Sequence, residues 1–214
     1  MTIKFLAEFI GTFLLIFLGT GAIIISESQN DLISNFEICL IFAVTIFAMI
    51  YFFGKISGAH LNPAVSLSFY FAKKISKIEF FTFLIAQILG GILASFFLYN
   101  LYSNNENLGG TAPKYGILLA FILEFILSFV LMFTIVLISK YFKSNLLIAF
   151  LISFVIFLEA YFFGSISGAS MNPIRSLAPA LISGKLDYIW IYIIAPSLGM
   201  VSVIFITNKI KKLK

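Results

Sequence analysis

YFFGKISGAHLNP (residues 51–63) returns as YFFGSISGASMNP (residues 161–173), matching without gaps at ten of thirteen positions. Shared Gly, Ser, Asn and Pro are not what a Phe-rich composition generates by chance, so the two stretches are a repeat. It continues upstream, where AEFIGTFLLIF (7–17) echoes LEFILSFVLMF (123–133) and pairs Glu8 with Glu124. The chain therefore reads as a single domain over 1–214, built of two homologous halves, about 1–110 and 111–214.

Composition supplies the solvent in which those halves fold. Hydrophobic residues make up 61% of the chain, charged residues 11%, and mean hydropathy is +1.10. A soluble domain carries about 45–50% apolar and about 25% charged residues. The chain reads as an integral, all-α membrane protein. Apolar runs near 4–26, 35–54, 78–100, 115–139, 146–164 and 188–208 give six spans, each near the ~20 residues a bilayer needs. Polar breaks at 26–31, 73–77, 101–114, 140–145 and 183–187 separate them, and no room is left for a soluble catalytic domain. The first run is longer than the roughly 7–15 residues of a signal-peptide core and contains Glu8, so it reads as a span. A lone cysteine, Cys39, excludes an intramolecular disulfide.

The net charge of +5 follows membrane topology rather than nucleic-acid binding. Lys4, Lys73, Lys74, Lys77, Lys140, Lys143, Lys209, Lys211, Lys212 and Lys214 fall on one side of a six-span arrangement, with Lys114 and Lys185 opposite. The positive-inside rule puts both termini in the cytoplasm. The expected location is the plasma (inner) membrane.

Three spans per half is an odd number, so the halves enter the membrane in opposite directions, as in inverted repeats whose site lies near the midplane. Two stretches, 55–72 and 165–182, are too short to cross. Irregular backbone at membrane depth is tolerated only where protein buries it or water lines it. Asn before Pro starts a helix, because Asn caps and Pro suits the first helical position. Half-helices are thus expected at Asn62-Pro63-Ala64 and Asn172-Pro173-Ile174. Their N-termini would meet head to head and disfavour a cation there. Each Asn oxygen would cap its helix and leave the amide free to donate to a solute. Gly58, Ala59, His60 and Leu61, with Gly168, Ala169, Ser170 and Met171, are expected to be extended, presenting a ladder of carbonyl acceptors. Gly58 and Gly168 would supply the unusual dihedrals.

SGAHLNPAVSL and SGASMNPIRSLAPAL resemble the two signature loops of aquaporins and glycerol facilitators, the major intrinsic proteins. The resemblance covers essentially the whole chain, and WIYIIAPSLG (190–199) is similar to the last span of nodulin-type intrinsic proteins and their bacterial relatives. It implies a right-handed bundle of six transmembrane helices plus two half-helices. The implied activity is passive passage of water and small uncharged solutes (glycerol, urea, ammonia, neutral metalloid acids), excluding ions and protons. A homotetramer is implied too, with the lipid bilayer and the solutes as partners and no nucleic acid. Gly90, Gly91 and Ala94 permit close helix packing.

The family's outer constriction falls, by counting from the asparagines, on Phe42, Ala160, Ala169 and Arg175. Arg175 is the only arginine, and a charge at membrane depth is by default functional. Ala160 stands where water-selective members typically carry His, and Ser176 where glycerol facilitators carry Asp. Glu8 and Glu124 are expected to accept amide bonds from the loops. Ile174 replaces an Ala, either repacking the half-helix junction or narrowing the pore. Glu159 is either bonded to loop backbone or a pore-lining group acting on Arg175. The lone His60 reads as a packing anchor, since no second metal ligand accompanies it. No metal, cofactor or catalytic set is expected; the chain does not read as an enzyme. A strictly water-selective channel, a coupled secondary transporter and an occluded junction protein are the competing readings.

Overall fold

The computed structural model describes residues 1–29 and 32–212, with side chains as far as Lys209. Asn30 and Asp31 of the first polar break, and Lys214 of the basic C-terminal group, lie outside the described residues. The described chain forms eight helices: α1 (Thr2–Ser28), α2 (Asn35–Phe53), α3 (Pro63–Phe71), α4 (Lys77–Leu101), α5 (Ile117–Tyr141), α6 (Asn145–Ser167), α7 (Pro173–Ser183) and α8 (Ile189–Lys212). Six are long and apolar enough to cross a membrane, with mean hydropathy of 2.1 to 2.8. The other two, α3 and α7, are the half-helices.

Short polar side chains set where the helices begin. Ser34 and Ser76 each accept from the backbone N–H three residues on, while Glu37 and Glu79 reach back to the cap N–H. Such a capping box satisfies two otherwise orphaned donors. Ser144 caps α6 by accepting the Leu147 N–H, without a reciprocal partner. Within the spans, patterning is apolar all round, as lipid demands, and the outward faces carry Phe52, Ile85 and Leu118.

Small residues decide which spans touch. A Cβ on Gly90 would stand 2.4 Å from the Phe9 carbonyl oxygen, and one on Gly199 would stand 2.3 Å from that of Phe125. These glycines bring α4 onto α1 and α8 onto α5, the backbone-to-backbone approach that replaces a hydrophobic driving force in lipid. Phe9 and Phe125 are equivalent positions of the repeat, so one crossing is made twice. Helices α2 and α6 pack on each other across the two halves. Asn145 Nδ2 ties them by donating to the Tyr51 carbonyl at 2.6 Å, closing the open end of α2.

The half-helices interlock the halves. Helix α3 lies against α8 and α4, and α7 against α4 and α8, so each sits on the last span of the opposite half as well as its own. Their N-terminal ends meet inside the bundle, which is where the site forms.

Candidate functional site

At the meeting point each asparagine serves two masters. Asn62 Oδ1 accepts the Ala64 N–H at 2.9 Å and Asn172 Oδ1 accepts that of Ile174 at 3.1 Å, with Pro63 and Pro173 opening the helices. The amide nitrogens cross over. Asn62 Nδ2 donates to the Met171 carbonyl at 2.7 Å and Asn172 Nδ2 to the Leu61 carbonyl at 2.9 Å. A primary amide carries two N–H groups. One is therefore spent locking loop to loop, and one remains for the cavity that both asparagines line. The expectation of a wholly free amide is corrected: the other half's carbonyl claims part of it.

The residues before each asparagine are not extended, as the sequence suggested. Ala59 (φ 46°), Leu61 (φ 51°), Ala169 (φ 38°) and Met171 (φ 51°) are left-handed, as are Gly58 (φ 93°) and Gly168 (φ 95°). Left-handed backbone costs a non-glycine residue roughly 1–2 kcal/mol, so something must hold it. The holders are two fully buried glutamates. Glu8 accepts from the Ser57 hydroxyl (2.6 Å), the His60 and Leu61 N–H groups (2.8 and 2.7 Å) and Gln87 Nε2 (2.8 Å). Glu124 accepts from the Ser167 hydroxyl (2.9 Å) and the Ser170 and Met171 N–H groups (2.9 and 2.8 Å). Successive N–H groups are drawn to the glutamate behind the loop. The loop residues Gly58–Leu61 and Gly168–Met171 line the cavity with their other side.

Phe42, Ala160, Ala169 and Arg175 line that same cavity. The Arg175 guanidinium carbon lies 5.4 Å from the Phe42 ring centroid, a cation–π distance. Its Nη1 donates to the Gly109 carbonyl at 2.9 Å, and only 6% of the residue is exposed. Gly109 belongs to the α4–α5 connection, which is pinned by fully buried Leu108 packing with Ile24 and Leu98. The Ser176 hydroxyl bonds those of Ser170 (2.6 Å) and Thr111 (2.8 Å), joining this connection to the start of α7.

Ile174 is fully buried, is not part of the cavity wall, and fills space left by Gly91, where a Cβ would stand 2.8 Å from its Cγ1. Its bulk repacks the junction. Glu159 fits neither reading: it is buried, is absent from the cavity wall, and neither carboxylate oxygen has a hydrogen-bond partner among the described residues. His60 Nδ1 lies 3.0 Å from the Ser66 hydroxyl, and its ring stacks on Phe69 while also facing the cavity.

The cavity measures about 810 Å³ and runs from Glu27, Asn107 and Lys114 at one end to Lys74, Ser139 and Asn145 at the other. Among the described residues no His, Cys, Asp or Glu cluster could hold a metal ion. Three supporting residues escaped sequence reading. Gln87 binds Glu8 from α4, Tyr192 donates to the Ser167 carbonyl at 2.6 Å from α8, and Gly109 holds Arg175. Each is a contact between distant segments with no local signature.

The profile of the major intrinsic protein family matches residues 1–206. The chain is 34% identical over 210 residues to Nodulin-26 of Glycine max, covering 97% of this chain and 78% of that protein. It is 37% identical over 221 residues to Aquaporin NIP1-1 of Oryza sativa subsp. japonica, covering 96% and 75%. Among solved structures, the aquaglyceroporin from Plasmodium falciparum superposes with a TM-score of 0.88 at 27% identity, covering 97% of this chain and 96% of that one. With six spans, two opposed half-helices and a cavity between them already in view, the chain belongs to the major intrinsic protein family, an integral membrane channel of aquaporin type rather than an enzyme.

Proposed function

We propose that this channel passes water together with small uncharged solutes, of which glycerol, urea, ammonia and neutral metalloid acids are the candidate cargoes, and excludes ions and protons. The observation that carries the reading is that two alanines, Ala160 and Ala169, share the cavity wall with Phe42 and Arg175. Two methyl groups leave width and an apolar surface for a solute's carbon skeleton, while the arginine fork offers donors to its hydroxyls or carbonyl. The resemblance to an aquaglyceroporin structure supports the same choice.

Exclusion of ions rests on two positive features in series. Arg175 repels cations at the outer constriction. Deeper in, the N-termini of α3 and α7 add their partial charges at the asparagines. The remaining N–H of Asn62 and of Asn172 would both donate to one passing water, turning its lone pairs towards the asparagines and breaking a proton-conducting chain. Loop carbonyls at 58–61 and 168–171 supply acceptors on either side. The assembly proposed is a homotetramer in the plasma (inner) membrane with both termini cytoplasmic.

Stopped-flow light scattering on proteoliposomes tests the cargo. Water, glycerol, urea and arsenous acid should each cross faster than in empty liposomes. Rapid water flux with every solute at the empty-liposome rate would establish the strictly water-selective alternative instead. Uptake dependent on a sodium or proton gradient would point to a coupled transporter.

A further inference from the structure

We propose that Gly19 is a positioning residue for the outer constriction: by lacking a side chain it lets the Phe42 ring lie back against α1, and so sets the width of the channel beside Arg175. The inference rests on the constriction proposed above and names the residue that tunes it. A Cβ on Gly19 would stand 2.2, 2.4 and 2.6 Å from the Phe42 Cε1, Cζ and Cδ1 atoms. The ring therefore occupies the very space a side chain at position 19 would fill.

The second half of the chain shows that the fold itself does not require a glycine here. Continuing the upstream repeat along the helix pairs Gly19 with Ile135, and the 51–63/161–173 repeat pairs Phe42 with Ile152. Ile135 and Ile152 both line the cavity, whereas in the first half Phe42 lines it and Gly19 does not. Two isoleucines share the wall in one half; a ring and a gap do so in the other. Gly19 sits inside the unbroken helix α1 with no left-handed dihedral, so it serves no turn. A glycine inside a helix costs about 1 kcal/mol against alanine, and the ring it accommodates is the compensating feature.

A displaced ring has the cavity that it already lines to move into. Ring carbons at 2.2 Å would retreat by about 1.3 Å to reach ordinary contact near 3.5 Å. Behind the ring lies α1. Beside it lies Arg175, held to the Gly109 carbonyl. Gly109 in turn abuts the same turn of α1, since a Cβ on it would stand 2.7 Å from the Thr20 carbonyl oxygen. The turn Gly19–Thr20 thus backs both the ring and the loop that fixes the arginine, and a ring pushed off α1 moves into the lumen.

The test compares Gly19→Ala, Phe42→Val and the double variant in proteoliposomes, reading water and glycerol flux per folded channel. Gly19→Ala should lower glycerol flux about tenfold relative to water, equivalent to ~1.4 kcal/mol of added barrier. In the Phe42→Val background the same substitution should have no effect, because a valine leaves the space unfilled. Should the unsubstituted channel carry water alone, the cargo reading fails. The inference is then read from water flux, which should fall in Gly19→Ala and recover in the double variant. Should Gly19→Ala not fold, a double variant that folds and conducts supports the contact, and one that also fails to fold overturns it. Undiminished flux in a folded Gly19→Ala channel, or an equal loss in the Phe42→Val background, also overturns it.

Discussion

At Glu159 the two halves of the repeat make different demands of one position. Its counterpart in the first half is Met49, an apolar side chain buried in the core. The glutamate is equally buried and both of its oxygens lack partners among the described residues. A buried polar group left unsatisfied costs about 1–3 kcal/mol. Glu159→Met should therefore stabilise the protein by about that much, seen as a higher melting temperature in fluorescence-detected size-exclusion chromatography. Water flux should be unchanged, since the residue does not wall the cavity. A lower melting temperature would mean the carboxylate has a partner that the fold supplies only in the assembled membrane protein. Legibility at this scale follows the range of the contact. Asn62 and Asn172 could be read because cap and proline are adjacent in sequence and the motif occurs twice. Phe42 and Arg175 could be singled out only through the family resemblance, which gives the positions to count to from the asparagines. Gly19, Gln87 and Tyr192 could not, because their meaning lies in partners 23, 79 and 25 positions away, as the pairs Gly19–Phe42, Gln87–Glu8 and Tyr192–Ser167 show.

Among the elements, the half-helices and spans were legible and the strands of backbone feeding the half-helices were not. Each span falls within a few residues of its apolar run, because lipid makes composition and helix nearly the same statement. From sequence, the stretch before each asparagine is expected to be extended so that its carbonyls form a ladder. Its alternating left-handed residues are imposed from outside, by Glu8 and Glu124 gathering the loop N–H groups. The carboxylate and not the shape of the side chain is therefore what matters. Glu8→Gln keeps the shape, offers one acceptor oxygen instead of two and sets an N–H against the loop's own donors. With hydrogen bonds to charged groups worth about 1.5–3 kcal/mol each, it should lower the melting temperature and sharply reduce water flux. Ser57→Ala removes one donor to Glu8 and the acceptor of the Ala59 N–H, so its effect should run in the same direction and be smaller. The reverse order, with Ser57→Ala more damaging, would show that the hydroxyl rather than the glutamate shapes the loop.

For the whole molecule, the odd number of spans per half carries the strongest consequence, because it forces the halves to oppose each other. Opposition is what brings two helix N-termini to one point, and it also fixes which loops share a side. The connections α3–α4 and α5–α6 and the helix ends that flank them carry Lys73, Lys74, Lys77, Lys140 and Lys143, on the same side as the start of α1 and the end of α8. The opposite side carries the α4–α5 and α7–α8 connections, where Lys185 of the second pairs with Glu106 of the first at 3.2 Å in an exposed ion pair. Five lysines on one side against Lys114 and Lys185 on the other are the basis of the proposed orientation, because the positive-inside rule counts Lys and Arg. The cavity would then open outward past Glu27 and Lys114 and inward past Lys74, with Arg175 nearer the outer mouth. Cysteine labelling in intact cells checks this directly, since the chain's single cysteine is the buried Cys39. In a Cys39→Ser background, Ser103→Cys on the α4–α5 connection should react with a membrane-impermeant maleimide added outside. Lys143→Cys should react only after permeabilisation; both positions are exposed, so access and not burial decides. The opposite pattern would invert the channel, putting Arg175 at the cytoplasmic mouth, where it would screen solutes leaving the cell before it screened those entering.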